Sequence, residues 1–421
     1  MLAVMLCVVR FVACFVMLLE YVRKITTNIT YRPFRTMVLF RRTYWGHMSE
    51  KKQIVVVGAG VLGASVAVHL AEAGAAVTLV EAGEPGMATS AVSFAWLNAF
   101  SKRPFHYHDL NRRSMQMWDG LARRLGGDVG LTWGGNLLWA VTEAGAKALQ
   151  ARVAQLHAWG YPARLLTLDE ARALEPKLVI EQATAVCHAP NEGHVDTARF
   201  IRACLETAVT HGATVHTHTQ VVGFEKGVRG ELTAVVTSKG TLPCDTVVLA
   251  VGADTPAIAS LAGVEVPVYH TFGATFYTEP LSPVFQTVSS VHTAADSEMQ
   301  VAFRQLPDGT LVFYGGSHGT AADRSLGRDE AEVAQVFAQA KTFLPLLHNA
   351  TIQEIRRGRR PIPQDRLPII GFADTVPNLY LTTMHSGVTL AALTGEFAAI
   401  EIMHETEIEL LAPYRPGRFI S

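Results

Sequence analysis

The segment Gln53-Ile-Val-Val-Val-Gly58-Ala-Gly60-Val-Leu-Gly63 constrains the fold more than any other part of the chain. A β-branched run ends in Gly-x-Gly-x-x-Gly and is followed by an alanine-rich helical pattern over Ala64 to Ala73. A second strand-like run, Ala76 to Val80, then ends in Glu81. Strand, tight turn, helix, strand and acid in this order are what a dinucleotide site needs. Gly58 permits the sharp turn, Gly60 lets the backbone approach a pyrophosphate, and Gly63 lets helix and strand pack closely. Val61 and Leu62 fall at the helix start, whose free N–H groups and partial positive charge suit phosphates. Glu81 can accept hydrogen bonds from a ribose 2′-OH and would repel a 2′-phosphate, which disfavours NADP. The glycine triplet alone is a weak signal; its strand–helix–strand context carries the inference.

Composition narrows the alternatives. A chain of 421 residues can hold two domains with large cores. Its 36 basic and 37 acidic residues leave no electrostatic footprint for nucleic acid. The 5 cysteines, Cys7, Cys14, Cys187, Cys204 and Cys244, are scattered and odd in number, which fits a reducing compartment and argues against a zinc site. No metal-ligand spacing occurs among the 16 histidines, so no metal site is expected.

Residues 1–52 read as a leader distinct from the rest. Leu2 to Leu19 is an apolar run broken by Arg10, near the short end of what spans a membrane. A basic, acid-poor stretch follows, with Arg23, Lys24, Arg32, Arg35, Arg41 and Arg42. Three readings stand: a membrane anchor through residues 2–19 that leaves the rest of the chain on the cytoplasmic side, an organellar presequence, or a true start at Met48. A cytoplasmic location is expected under the first and third.

Further along, Phe105 to Leu125, Thr142 to Trp159 and Asp196 to His211 read as helices, with Asp196 as N-cap and Gly212 as the residue past the end. Leu131 to Val141 reads as a glycine-broken hairpin or strand pair. Thr214 to His218, Val221 to Phe224 and Leu232 to Thr237 are short strands, and Asp245 to Val251 is a second buried parallel strand before Gly252. From Val266 to Thr278, Glu298 to Leu306 and Thr310 to Gly316, alternating segments suggest an antiparallel sheet, with Pro307-Asp-Gly309 as a turn. Arg328 to Leu344 is a helix, Ile352 to Arg360 a strand, Leu379 to Thr383 a last parallel strand and Thr389 to His404 a last helix.

Three separated segments thus look built for one cofactor: Gly58 to Glu81, Asp245 to Gly252, and Met384-His-Ser-Gly387-Val388-Thr389. With them come Glu81-Ala82-Gly, Ala88-Thr89-Ser90 and Ser93, Thr219-Gln-Val221-Val-Gly223, Val248-Leu-Ala250-Val-Gly252, and Arg360-Pro-Ile-Pro-Gln-Asp365-Arg-Leu-Pro368-Ile-Ile-Gly371. On these residues the chain resembles the FAD-dependent amino-acid and amine oxidoreductases of the D-amino-acid oxidase superfamily, among them glycine oxidases, sarcosine oxidases and D-amino-acid dehydrogenases. The resemblance covers Gln53 to about His404. It implies an α/β fold: a Rossmann-like FAD-binding domain built from discontinuous segments (53–100, 185–262 and 360–410) plus an α+β substrate domain with an antiparallel sheet (101–184 and 263–359). It also implies FAD contacts from the residues just quoted, from Gly58 through Thr389. The flavin carries the redox chemistry, so a missing catalytic triad is expected. No cysteine or histidine stands at the loop Ser93 to Trp96 and no cysteine adjoins Gly387, so non-covalent FAD is expected.

For the substrate, Arg304 aligns with the arginine that glycine oxidases use on the substrate carboxylate, with Arg360 as second candidate; a structural arginine is the alternative for each. Phe303 stands where relatives often carry proline, which loosens the alignment there. His385 either contacts flavin or product or caps the last helix. Tyr269, His270 and Tyr277 either line the pocket or stand as edge residues of a sheet. Trp96, Trp133 and Trp139 read as core or gate. The expected function is oxidation of a small D-amino acid, glycine or a sarcosine-like amine, with hydride transfer to flavin, imine hydrolysis and reoxidation by oxygen or a quinone-type carrier. The alternatives are a flavin-bound assembly protein without turnover and an NAD-dependent dehydrogenase.

Overall fold

A computed structural model describes residues 51–293, 300–316 and 330–419. The readings placed on residues 1–50, the apolar run 2–19 included, lie outside them. Among the described residues no helix is long and apolar enough to cross a membrane.

The first sheet assembles the segments that the glycine motif announced. Its order is Ile369–Phe372, Leu379–Thr383, Thr246–Leu249, Gln53–Val57, Ala76–Val80 and Thr214–His216. All neighbours run parallel except Ile369–Phe372, which turns back antiparallel on Leu379–Thr383. The central strands are buried on both faces, which explains their continuous runs of valine, isoleucine and leucine. This is a Rossmann-like sheet drawn from early, middle and late sequence.

Two helices cover one face of it. Val61–Glu72 starts directly after the glycine turn, and Gly387–His404 closes the described core. Both are apolar nearly all round because they are buried nearly all round. They cross at very close range: Ser65 Oγ donates to the Ala391 carbonyl at 2.7 Å, and a Cβ on Gly395 would lie 2.3 Å from Ser65 Oγ. Lacking a side chain at Gly395, the helices approach until both N-termini open on the same space.

The second large sheet has eight strands, in the order Ile352–Pro363, Val268–Pro280, Thr310–Gly316, Gln300–Gln305, Ser290–Thr293, Asn136–Ala140, Ala185–Ala189 and Arg164–Leu166. It is antiparallel apart from the parallel pairing of Ser290–Thr293 with Asn136–Ala140. Its apolar face carries a separate core around Phe276, Phe303, Phe313 and Trp139.

Several expectations need adjusting. The stretch Leu131 to Val141 does hold two strands, Thr132–Trp133 and Asn136–Ala140, but they join different sheets rather than pairing as a hairpin. The glycines between them admit neighbours: a Cβ on Gly134 would meet the Thr287 carbonyl oxygen at 2.3 Å. Ala185–Ala189, grouped above with the FAD segments, pairs within the eight-stranded sheet. The strand Ile352–Pro363 runs straight across the boundary set at 359/360, so it links the two sheets' territories in one stroke. The last helix begins at Gly387, two residues before the expected Thr389. The expected helix ends hold at Asp196, which accepts from Ala198 and Arg199 N–H at 2.9 and 3.1 Å, and at Gly212, with φ +93°.

Candidate active site

Two adjoining cavities lie at the carboxyl ends of the parallel strands, where open α/β sheets bind ligands. The first, of about 460 Å³, is walled by the glycine turn, by Glu81 and Ala82, by the 86–90 loop, by Thr219 to Val221, by Ala250 to Gly252 and by Met384, His385, Gly387 and Val388. The second, of about 310 Å³, shares Thr89, Ser93, Pro361, His385 and Val388 with it, and reaches toward the eight-stranded sheet at Thr275, Tyr314 and Arg360.

Backbone geometry builds the first cavity. Gly58 has φ +98°, a left-handed conformation natural to glycine, and a Cβ there would lie 2.6 Å from the Ala250 carbonyl oxygen. Gly60 lines the cavity beside Ser90, whose hydroxyl accepts from Val61 N–H at 3.1 Å. Glu81 is fixed by two backbone donors, Ala59 N–H at 2.8 Å and Gly83 N–H at 2.9 Å, with its carboxylate on the cavity wall. The last helix starts at Gly387 with no side-chain cap on its first N–H groups, which therefore stay available to a ligand.

Thr389 ties that helix start to the second cavity. Its hydroxyl donates to the Trp96 carbonyl at 3.0 Å, while its own carbonyl accepts from Ser114 Oγ and Trp118 Nε1 at 2.7 and 3.1 Å. Trp96 lines the second cavity and stacks on His292 with ring centroids 3.9 Å apart. Burial lowers the His292 pKa to about 3, so this histidine is neutral and acts as an aromatic plate. His385 is accessible along the shared wall yet deep among protein atoms. That burial, with Lys102 and Arg360 nearby, lowers its pKa to about 3.

Of the residues singled out from sequence, Gly58, Gly60, Val61, Leu62, Glu81, Ala82, Thr89, Ser90, Val221, Ala250, Gly252, Gly387 and Val388 line the first cavity. Thr389 and Arg360 line the second, and His385 lines both. Gly63 and Gly371 line neither. Gly63 sits behind the turn, and Gly371 packs against Arg415 with φ +136°. Tyr269 is exposed on Val268–Pro280 and faces neither cavity. Arg304 is only 3% exposed and also lines neither. It lies behind the second cavity's wall, with its guanidinium 5.8 Å from the Phe94 ring and 3.4 Å from the Val195 carbonyl. The sequence reading missed Lys102, Tyr314 and Asn98, all on the second cavity. They carry no spacing pattern, and only the chain's tertiary course brings them together.

The donor set suits a large anionic dinucleotide. Two helix N-termini, one without a side-chain cap and one bonded by Ser90 at Val61 N–H alone, converge on one cavity with a glycine turn and a carboxylate placed for a ribose. No cysteine lines either cavity among the described residues, and no group of possible metal ligands occurs there.

Comparison with known proteins agrees with this geometry. The family model DAO, described as FAD dependent oxidoreductase, matches residues 53–399. The chain is 26% identical over 381 residues to glycine oxidase of Geobacillus kaustophilus, covering 89% of this chain and 98% of that protein. It is 24% identical to a subunit of the opine oxidase of Agrobacterium tumefaciens, covering 87% and 97%. The crystal structure of the Geobacillus kaustophilus glycine oxidase superposes with a TM-score of 0.79 at 25% identity, covering 88% of this chain and all of that one. L-proline dehydrogenase of P. horikoshii shares the fold, with a TM-score of 0.77 at 23% identity and 89% and 99% coverage. The chain belongs to the family of FAD-dependent oxidoreductases.

Proposed function

We propose that this enzyme binds FAD without a covalent link and oxidises a small amino acid or an N-substituted glycine of the sarcosine type. The observation that carries this reading is the pair of adjoining cavities, one with a dinucleotide cradle and one walled by cations and aromatic rings. The first cavity draws on early, middle and late sequence, and the eight-stranded sheet adds Thr275, Tyr314, Arg360 and Pro361 to the wall of the second. Glycine oxidase, among the relatives, points to the same substrate size.

Bound in the first cavity, FAD would supply a hydride acceptor. Glu81 would hold its ribose, the Gly58–Gly63 turn its pyrophosphate, and the Gly387–His404 helix start the far end of the cofactor. Arg360 would anchor the substrate carboxylate. Its guanidinium takes part in no hydrogen bond or ion pair among the described residues, and burial lowers its pKa. A planar fork on a carboxylate fixes the α-carbon, which hydride transfer requires. The cations of this cavity disfavour an ammonium group and so favour the neutral, reactive amine. His385, held neutral, adds no further charge. The imine left by hydride loss would hydrolyse in water, and oxygen or a quinone-type carrier would be the final electron acceptor.

The test is the visible spectrum of the purified protein, followed by anaerobic addition of amino acids and secondary amines. A yellow protein that bleaches with one of them is expected. A yellow protein that no amine reduces would instead indicate a flavin-bound assembly protein, and a colourless one that oxidises NADH would end the reading. Acid precipitation should release the colour into the supernatant. Colour retained in the pellet would point to attachment at His385, the one histidine on either cavity wall among the described residues.

A further inference from the structure

The second cavity carries two basic side chains, Lys102 and Arg360, and no carboxylate side chain among the described residues. Neither base has an ion pair or a side-chain hydrogen bond within them. The acid that acts on Lys102 is Glu192, which is fully buried, lines neither cavity and takes its hydrogen bonds through one oxygen only. Its Oε1 accepts from Ala99 N–H, Phe100 N–H and Tyr161 OH at 3.0, 2.8 and 3.1 Å. Burial raises the Glu192 pKa to about 7, so its countercharge is partial.

The two bases sit on separate elements. Lys102 belongs to the loop after Trp96–Leu97, and Arg360 to the long strand Ile352–Pro363. Both depress the pKa of His385, which places the ring within the field of each. The fold also reserves room for Arg360. A Cβ on Gly273 in the neighbouring strand would lie 2.3 Å from Arg360 Nη2 and 2.4 Å from Nε. Packing against a bare backbone therefore seats this guanidinium, without any acid to neutralise it. Lys102 is half-buried, with its Nζ 5.9 Å from the centroid of the Tyr107 ring, and burial lowers its pKa to about 8. A half-buried cation that faces no carboxylate in its cavity gains most from a ligand that supplies one.

We propose that the substrate carries two carboxylates, one on each side of its amine nitrogen, and that Arg360 and Lys102 each bind one. The substrate class is a small N-carboxyalkyl amino acid, a secondary amine with two acid arms. This rests on the reading of the second cavity as the substrate site. It adds that the nitrogen substituent, not only the amino-acid end, is recognised by charge. Selectivity follows from leaving a cation unpaired whenever a single-acid amine binds.

The experiment uses the FAD-loaded protein and two probes that cannot be oxidised at nitrogen, thiodiacetate and methylthioacetate. They share the thioether and differ by one carboxylate. Binding is read from perturbation of the flavin absorbance and, separately, by calorimetry. Thiodiacetate is expected to bind roughly 10- to 100-fold more tightly. Lys102→Met should erase that preference by weakening thiodiacetate alone, and Lys102→Arg should keep most of it. Arg360→Met should weaken both probes. Equal affinity of the two probes for the unaltered protein would overturn the proposal, as would a preference that survives Lys102→Met. It would also be overturned if Lys102→Met altered the resting flavin spectrum while leaving both affinities unchanged, since the lysine would then serve the cofactor. The calorimetric preference does not depend on turnover. A protein that no amine reduces but that still prefers thiodiacetate would keep this inference and overturn the oxidase reading.

Discussion

The Cβ that Gly63 lacks would lie 1.8 Å from the carbonyl oxygen of Gly58, well inside any permissible contact. The third glycine of the motif thus acts on the first, holding the helix against the turn that forms the cavity wall.

Gly63→Ala is therefore expected to destabilise the protein by about 1–3 kcal/mol or more and to lower its flavin content, because relief of the overlap must move the turn. Gly120→Ala is the matched control. Gly120 lies inside the helix Phe105–Arg124 with nothing within 4 Å of its missing Cβ, so alanine there should stabilise by roughly 0.5–1 kcal/mol. Urea unfolding midpoints of both variants check the pair. A Gly63→Ala protein as stable and as yellow as its parent would contradict the packing argument.

A buried ion pair closes the far side of the nucleotide-type sheet. Glu401 is 1% exposed, pairs with Arg415, and accepts from Tyr380 OH and Ile408 N–H, both at 2.7 Å. Arg415→Met would strand this carboxylate, at an expected cost of about 3–5 kcal/mol. The double change Glu401→Leu with Arg415→Met should recover much of the loss, and thermal unfolding of the three proteins measures it. A single variant as stable as the parent would show that the pair adds nothing.

Arg304 and Arg360 should separate in kinetics. Arg304 lies behind Phe94 with a buried Nε that lacks a partner, so Arg304→Leu is expected to leave half-saturation within about 3-fold and stability nearly unchanged. Arg360→Leu should raise the half-saturating concentration roughly 10- to 100-fold with flavin retained. Flavin reduction at varied amine concentration decides it. The reverse pattern would move the carboxylate anchor to Arg304.

Stability should fall as the solution is acidified from about pH 7 to about pH 5. Burial lowers the pKa of His69 to about 4 and that of His292 to about 3, and it lowers those of His108, His188, His194 and His385 too. The unfolded chain would bind protons that the folded one refuses. Each such group's contribution is therefore complete above its unfolded pKa near 6.5 and is lost as pH falls toward the folded value. Glu192, raised to about 7 by burial, works in the opposite sense across the same interval but is outnumbered. Denaturant midpoints taken across this range should decline steadily, and a flat or rising series would contradict the assignment.

The parts of this fold that were legible in sequence are those with a local cause. The β-branched run before Gly58, the side-chain cap at Asp196 and the left-handed Gly212 each announce themselves within a few residues. Ser290–Thr293 and Ala185–Ala189 do not, because their burial comes from neighbours far along the chain. The wall of the first cavity was readable for a similar reason: backbone turns and helix starts leave glycine and small residues as traces. The second cavity is lined mainly by single side chains. Lys102 sits between Ser101 and Arg103 in an ordinary-looking loop, and nothing in that run distinguishes it until the cavity is seen. Arg304 shows the converse, since an alternating strand pattern cannot tell which wall of a cavity its arginine stands behind.

The walls of the first cavity come from residues as early as Val57 and as late as Val388. A chain emerging from the ribosome therefore carries its glycine turn long before the strand and helix that complete the binding surface. Cofactor capture must wait until the helix Gly387–His404 has been made, and until then the exposed valine-rich strand is a hazard for any nascent copy beside it. Maturation of this enzyme is thus a race between closure by its own last helix and association with other unfinished chains, and an ample supply of flavin helps only the chains that have already closed.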